Sequence, residues 1–260
     1  MGICNLSPDS FSGDGLGSDI EATVVQAKCM VEEGADIIDV GGESTRPGTE
    51  PVSIDDIDQE LGLVIPAIER LASEIAVPIS IDTYKSNVAR RALKAGAAMI
   101  NDIWGLKRDP KLAALAAETG VPIALMSNQR DASCKDIMPT IISDLERAIS
   151  QALKAGVPQD NIIIDPGIGF GKSLEQNLEI IRRLAELKPL GKPILLGSSR
   201  KSMIGLVLNL PPDQRVEGTA ASIAIGIANG ADIVRVHDVK QMVRVCRMSD
   251  AIIRRRTTGD

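Results

Sequence analysis

GADIIDV, residues 34–40, ends a helix-like segment on a glycine and at once opens a short apolar run that carries an acid near its end. The same arrangement returns as GAAMIND at 96–102 and GVPIALM at 120–126. It recurs after Gly156 (NIIID), Gly191 (KPILLG) and Gly230 (ADIVRV). Glycine suits a helix end because the left-handed backbone there would force a Cβ into a neighbouring carbonyl. Ile3 to Leu6 at the start and VPISID at 77–82, which follows a helix without the glycine, bring the predicted strands to eight. The runs are almost continuously apolar, as parallel strands are when helices cover one face and side chains pack the other.

Between the strands the apolar period changes to that of a helix. Ile20, Val24, Ala27 and Val31 form one stripe, and Leu174, Leu178, Ile181 and Leu184 form another. Ser53 and Asp56 are spaced as a capping box, and Asp109-Pro110 as a cap followed by a first-turn proline. Pro66 is expected to kink its helix without ending it, since the apolar pattern resumes at Ile68 and Leu71. Eight strand–helix units in 260 residues predict an α/β fold, a (β/α)8 TIM barrel, as a single domain spanning residues 1–260. A doubly wound open sheet is the alternative.

Composition narrows the class of function. With 44% hydrophobic residues the chain can bury a sizeable core. The net charge of −6 is dispersed, and the basic residues form no run outside Arg254 to Arg256, which argues against a nucleic-acid partner and for a small molecule. Cys4, Cys29, Cys134 and Cys246 are far apart with no C-x-x-C pair, so neither a disulfide framework nor a zinc site is expected. No apolar run approaches the ~20 residues that span a bilayer. Together these features predict a cytoplasmic protein with no membrane association, in which the sequon Asn5-Leu6-Ser7 is accidental.

In a barrel, chemistry collects where strands run into helices. Those positions hold Asn5 and the loop SPDSFSGDGLG; Asp39 and GGESTRPGTEP; Asp82; Asn101-Asp102; Met126-Ser127-Asn128; Asp165; Gly197-Ser-Ser-Arg-Lys201-Ser202; and Arg235 with His237. The first two loops are long, as lids are. Arg235 and His237, two apart on a strand, face one side and suit a shared anion. A single histidine offers no zinc set. Lys201, beside Ser198, Ser199 and Ser202 at the start of a helix, suits an anionic or carbonyl ligand. DPGIGFGKS at 165–173 is not a P-loop, because Pro166 stands where the first glycine is required. Its glycines are expected to let backbone approach a ligand or a neighbouring loop. Asp82 and Asp165, with Asn101 between them on the rim, suit the donor-rich edge of a 2-aminopyrimidinone; a metal site or an acid/base pair is the competing reading.

Taken in order, NLSPDSFSGDG, DIIDVGGESTRPG, ISIDTYKSNVARRAL, INDI, IIIDPGIGFGK, LLGSSRKSMIG and RVEGTAASIAIGIANGADIVRVHDV resemble the dihydropteroate synthase family nearly end to end. That resemblance implies a transferase of folate biosynthesis that condenses 6-hydroxymethyl-7,8-dihydropterin pyrophosphate with p-aminobenzoate and releases pyrophosphate. It implies that Asp82, Asn101, Asp165 and Lys201 hold the pterin, with Gly197, Met126 and Ile103 lining its pocket. Asn5, Arg235, His237 and Thr45 would bind the pyrophosphate, Asn5 together with a magnesium ion (Mg2+). Thr45, Arg46, Phe170, Lys201 and Ser202 would frame the p-aminobenzoate site, the target of sulfonamides. Lys201, Arg235 and His237 would act in catalysis, as would an acid of the first lid, Asp9 or Asp14. Family members pair as homodimers through their last helices, and a homodimer is expected here. Lys201→Ala and Arg235→Ala are each expected to abolish synthesis and to leave the fold intact.

The chain departs from the family at three places. Met126-Ser127-Asn128 stands where Met-His is usual, which is expected to alter one polar contact near the pterin. Ser12-Gly13-Asp14-Gly15 reorders the usual Asp-Gly-Gly, and so leaves Asp9 and Asp14 as alternatives. The chain opens almost on its first strand, where an upstream hairpin is usual, so a truncated start is expected. The sole tryptophan, Trp104, is read either as a lid contact or as packing. Two other functions share the fold: a pterin-binding methyltransferase domain passing methyl from methyltetrahydrofolate to a corrinoid, and a non-catalytic pterin- or sulfonamide-binding module. The first has no use for SRKS or the Arg235/His237 pair; the second would bind pterin pyrophosphate without turnover.

Overall fold

A computed structural model describes residues 1–7, 17, 19–43, 53–55, 57–131 and 136–254. Strand and helix alternate: β1 (Gly2–Asn5), α1 (Ile20–Glu32), β2 (Ile38–Gly41), α2 (Asp58–Glu74), β3 (Ile79–Asp82), α3 (Ser86–Ala95), β4 (Met99–Asp102) and α4 (Lys111–Thr119). The order continues with β5 (Ile123–Met126), α5 (Ile137–Lys154), β6 (Ile162–Asp165), α6 (Leu174–Arg182), β7 (Leu195–Leu196), α7 (Ser202–Leu208), α8 (Val216–Ala228), β8 (Ile233–Val234) and α9 (Val239–Ile253).

Strands β1 to β6 pair in parallel in chain order, and β7 pairs with β8. Bridges Ile164↔Ile194 and Gly2↔Val236 join the two sheets at both edges. Backbone bonds of 3.0 Å from Ile3 N to Val236 O and from Val236 N to Met1 O close the ring. The TIM barrel is therefore the fold, and the open sheet is excluded.

Side chains alternate across this ring with the strand period of two. Ile38, Val40, Ile79, Ile81, Ile100, Ile123, Leu125 and Ile162 point outward into the main core shared with the helices. Met1, Met99, Ala124, Ile163 and Leu195 fill the lower barrel interior. Counting upward by twos from this layer, and from Ile37, Ser80 and Ile233 on the remaining strands, leads to Asn5, Asp39, Asp82, Asn101, Met126, Asp165, Gly197 and Arg235. The polar strand ends are thus the upper continuation of the inward-facing set.

The repeated glycines behave as their positions require. Gly96, at φ 119°, donates its N–H back to the carbonyls of Ala92 and Leu93 and closes α3. Pro66 lies inside α2, which continues unbroken to Glu74. Asp109 does cap α4, accepting from Lys111 N at 3.1 Å, and its other oxygen takes Ser86 N of α3 at 2.8 Å.

Three expectations need correction. Helix α2 starts at Asp58 with no side-chain cap, so Ser53 does not head a capping box; it accepts from Asp55 N in a preceding turn at 3.4 Å, and Asp56 lies outside the described residues. The acids Asp58 and Glu60 in the first turn favour that start through the helix dipole. The buried face of α6 is Asn177, Ile180 and Ile181, because the helix ends at Arg182 and Leu184 belongs to a tighter 3-10 segment, Leu184–Leu190. Strand β2 runs past Asp39 to Gly41, which puts Asp39 inside the barrel wall and not at its lip.

Cys4, Cys29 and Cys246 are free thiols, and Cys134 lies outside the described residues. No helix among the described residues is long and apolar enough to cross a membrane.

Candidate active site

Register sets the site. Asn5 pairs with Gly41, Gly41 with Asp82, and Asp82 with Asn101, which places four inward positions at one height. Met126 pairs with Asp165 further round. The resulting cleft is lined by Asp82, Asn101, Ile103, Met126, Asp165, Ile168, Phe170, Gly197, Lys201 and Arg235. All seven residues expected to surround a pterin are in this one cleft. Gly41 leaves the room: a Cβ there would sit 3.4 Å from that of Asp82.

Arg235 is the hub. Its Nε donates to Asp39 Oδ2 at 2.6 Å and its NH2 to Asp82 Oδ2 at 2.8 Å. Asn101 Nδ2 donates to the same Asp39 oxygen at 3.1 Å, so its amide oxygen is the acceptor it offers the cleft. Burial raises the Asp82 carboxyl to about 7, against the pull of Arg235 and with help from Asp39. Burial also raises Asp165, whose Oδ1 accepts from Gly167 N at 2.6 Å. Lys201 is pushed down to about 8, first by burial and then by Arg235. For Arg235 burial works in the same direction, but Asp39 and Asp82 overcome it and hold the guanidinium charged.

Chemically, two carboxylates and an amide oxygen converge as acceptors opposite a lysine donor. Apolar walls from Ile103, Met126 and Phe170, continuous with buried Tyr84 and Trp104, complete the cleft. That combination fits a flat heterocycle bearing several N–H donors and one acceptor.

The other expected residues fall into three groups. Asn5 ends β1 at the height of Asp82. His237 follows β8 and is tied through Nδ1 to Ser199 Oγ at 2.9 Å. Spacing puts Arg235 and His237 on one side, yet they are committed to different partners. Ser202 opens α7 and is exposed. Asp9, Asp14, Thr45 and Arg46 lie outside the described residues.

Ser127 faces away from the cleft. Its Oγ donates to Asp144 Oδ2 of α5 at 3.1 Å, where Lys107 also donates, at 2.7 Å. Met126 takes the inward place, and its neighbour on the strand points out.

Several residues in the site carried no role in the sequence reading. Asp39 was visible only as a strand acid; its alternation with Ile38 and Val40 was the available sign that it faces inward. Its Oδ1 is buried without a hydrogen-bond partner among the described residues. Lys172 donates to the carbonyls of Ser127 at 2.8 Å, Gly167 at 2.8 Å and Phe170 at 3.2 Å, and so fixes the loop after β6. A Cβ on Gly167 would stand 2.2 Å from Ser127 O, which explains the glycine by a neighbouring loop. Lys85, 1% exposed, pairs with Glu43 at 2.8 Å and Glu60 at 3.0 Å. Trp104 packs edge-on against Tyr84 with centroids 6.3 Å apart, and Tyr84 donates to Glu43 at 2.9 Å. Trp104 is buried and packs with Tyr84 beside the cleft; most lid residues that its other reading needs lie outside the described residues.

Among the described residues no group of three or more His, Cys, Asp or Glu side chains is placed to hold a metal. Asn5, at the end of β1, would offer one amide oxygen, which suits an ion bound mainly through water and ligand phosphates.

The family model of pterin-binding enzymes matches residues 1–237. The dihydropteroate synthase of Bacillus subtilis (strain 168) is 52% identical over 253 residues, 97% of this chain and 88% of that protein. The crystal structure of a dihydropteroate synthase from Clostridium difficile, determined in the presence of pteroic acid, superposes with a TM-score of 0.91 at 50% identity, covering 98% of this chain and 96% of that one. That of the Xanthomonas albilineans enzyme with 4-aminobenzoic acid gives 0.89 at 41% identity, over 97% and 92% of the two chains. The chain belongs to the dihydropteroate synthase family of pterin-binding enzymes.

Proposed function

We propose that residues 1–260 act as one barrel domain that joins p-aminobenzoate to 6-hydroxymethyl-7,8-dihydropterin pyrophosphate. The observation that carries this reading is the convergence of Asp82, Asn101, Asp165 and Lys201 on one cleft. Asp165 and Asp82 accept from the N–H edge of the pterin, and Lys201 donates to its ring acceptors. The exocyclic methylene then points toward Asn5, Arg235 and His237. As its bond to the diphosphate oxygen breaks, Arg235 and His237 take up the charge developing on the leaving group. A Mg2+ ion held by Asn5, water and the diphosphate would supply further charge neutralisation there. The aniline nitrogen, with its ring against Phe170, Lys201 and Ser202, attacks the methylene carbon and gives up a proton. Thr45 and Arg46 of the second lid complete the acceptor site. An acid of the first lid, Asp9 or Asp14, stabilises the cation-like methylene, and closure of the lids keeps water from capturing it.

A coupled assay of pyrophosphate release tests the reading: release is expected only when both substrates are present. Release without p-aminobenzoate, or binding of the pterin diphosphate without turnover, would sink it. A homodimer is supported by exposed Leu206, Val207, Ile225, Met248 and Ile252 on α7, α8 and α9. Sedimentation at micromolar concentration checks it, a monomer being the contrary result. The cytoplasm is the compartment that fits free thiols and a folate precursor; fractionation of cells tests that.

A further inference from the structure

We infer that Arg200 and Asp238 are positioning residues, whose ion pair ties the loop after β7 to the start of α9 and so aims Lys201 into the cleft; the inference rests on the function proposed above. Arg200 donates through Nε to Asp238 Oδ2 at 3.0 Å and through NH2 to Asp238 Oδ1 at 2.5 Å, a two-pronged pair between largely buried side chains. Each partner departs from its local preference to make it. Arg200 holds a φ of 55°, a left-handed backbone that is costly for a residue with a Cβ and persists only where the surroundings impose it. Asp238 stands at the N-cap of α9, where an aspartate ordinarily accepts from first-turn N–H groups, yet its side chain makes no capping bond. Two local costs for one contact point to a use for the conformation that the contact fixes.

The chain reversal at Arg200 is braced by its neighbours. Ser198 Oγ meets Ser222 Oγ of α8 at 2.8 Å, and Ser199 Oγ meets His237 Nδ1 at 2.9 Å. Arg200 N donates to Thr219 Oγ1 at 3.1 Å, and Arg200 O accepts from Arg215 NH1 at 2.9 Å. The next residue, Lys201, turns back to line the cleft. Its seat there is narrow: a Cβ on Gly169 would lie 3.2 Å from Lys201 Cδ, and Lys201 Nζ lies 4.3 Å from the centre of the Phe170 ring. Lysine carries its charge on a long flexible stem, so the direction in which its Cα–Cβ bond leaves the loop decides whether the ammonium reaches that seat.

The test compares Arg200→Gly, Asp238→Asn and the double variant with the parent protein, measuring kcat and KM from neutral to alkaline pH. Glycine suits a left-handed φ better than arginine does, so Arg200→Gly removes the pair without adding backbone strain. Each single variant should raise KM for the pterin diphosphate roughly tenfold, equivalent to ~1.4 kcal/mol. The kcat/KM limb set by Lys201, which burial and then Arg235 push down to about 8, should move upward by about one pH unit, because a lysine that leaves its seat regains its hydration. The double variant should be no worse than the weaker single one, since both remove the same interaction. Either readout left at the parent's value would overturn the inference, as would losses that add in the double variant. A fall in kcat alone, which a smaller folded fraction gives, counts against it in the same way. Parent protein without turnover would overturn the proposed function itself; normal parent turnover with variants that match it in KM and limb would remove the positioning role alone. Should Arg200→Gly not fold, Asp238→Asn, which leaves the backbone at Arg200 unaltered in sequence, decides by the same two readouts.

Discussion

Replacing Arg235 with alanine should destabilise the protein more at pH 8 than at pH 5, as well as end synthesis. Arg235 is 18% exposed and bonds Asp39 and Asp82, which are 0% and 12% exposed. Removing one partner of a buried ion pair costs about 3–5 kcal/mol, because the other charge remains buried without compensation. At ~2–4 °C per kcal/mol for a domain of this size, the melting temperature should fall by roughly 6–20 °C. The pH dependence follows from Asp82, whose carboxyl in the folded protein is already raised from 3.8 to about 7. A carboxyl raised by folding holds its proton more tightly in the folded state, so it favours folding at low pH and progressively less as pH rises toward the folded value. Without the guanidinium that value climbs further. Near pH 5 the protonated Asp82 carboxyl needs no cation and the deficit shrinks; near pH 8 it is full. Thermal unfolding of parent, Arg235→Ala and Arg235→Lys at both pH values measures this, with lysine restoring part of the loss. A deficit equal at the two pH values, or below ~2 °C, would refute the reasoning.

Lys201→Ala is expected to abolish synthesis with little change in melting temperature, since Lys201 meets the Phe170 ring and forms no ion pair among the described residues; retained turnover would remove its role. With the Lys201 ammonium held down to about 8, its positive charge is lost as pH rises through that value. Pterin-diphosphate binding should then weaken above it, and Lys201→Arg should move that limb upward in a kcat/KM profile. Gly167→Ala forces a side chain onto a φ of 74° and against Ser127 O; unfolding should show a loss of about 1–3 kcal/mol and calorimetry a weaker pterin. If Gly167→Ala binds as the parent does, the close approach of the two loops is not what shapes the cleft.

The barrel was legible because its signals are local. A glycine ending a helix and an apolar run of strand length are read over a few residues, and both survive in the structure. The cleft was legible for a related reason: once strand ends are located, alternation decides which side chains point inward, and Asp82, Asn101, Asp165 and Arg235 follow. Asp39 was missed because its importance depends on partners 62 and 196 residues away, Asn101 and Arg235. Where Ser127 points was not legible, because its partner Asp144 lies 17 residues away on α5. Ser53 failed as a cap because a capping motif can be satisfied by a turn as readily as by a helix.

Charge balance at the cleft bears on the order of events during turnover. Asp39, Asp82 and Asp165 face two cations, Arg235 and Lys201, and Arg235 is shared between the first two acids. Asp82 meets Arg235 through Oδ2 alone, so that oxygen is the one for which a pterin N–H would compete. Under the proposed function, a pterin N–H that takes Asp82 Oδ2 would release the Arg235 NH2 group while Nε stays on Asp39, and the freed group would be the one available to the diphosphate. Arg235 would then exchange one anion for another with no interval in which a buried guanidinium lacks a partner, which would lower the desolvation cost of binding. The exchange gives Asp39 a distinct function as the fixed point about which the guanidinium turns. In Asp39→Asn that anchor loses its charge, so the pterin without its diphosphate should still bind while affinity for the pterin diphosphate falls. Calorimetric titration with the two ligands separates these effects, and equal losses for both would show that Asp39 only shapes the pocket.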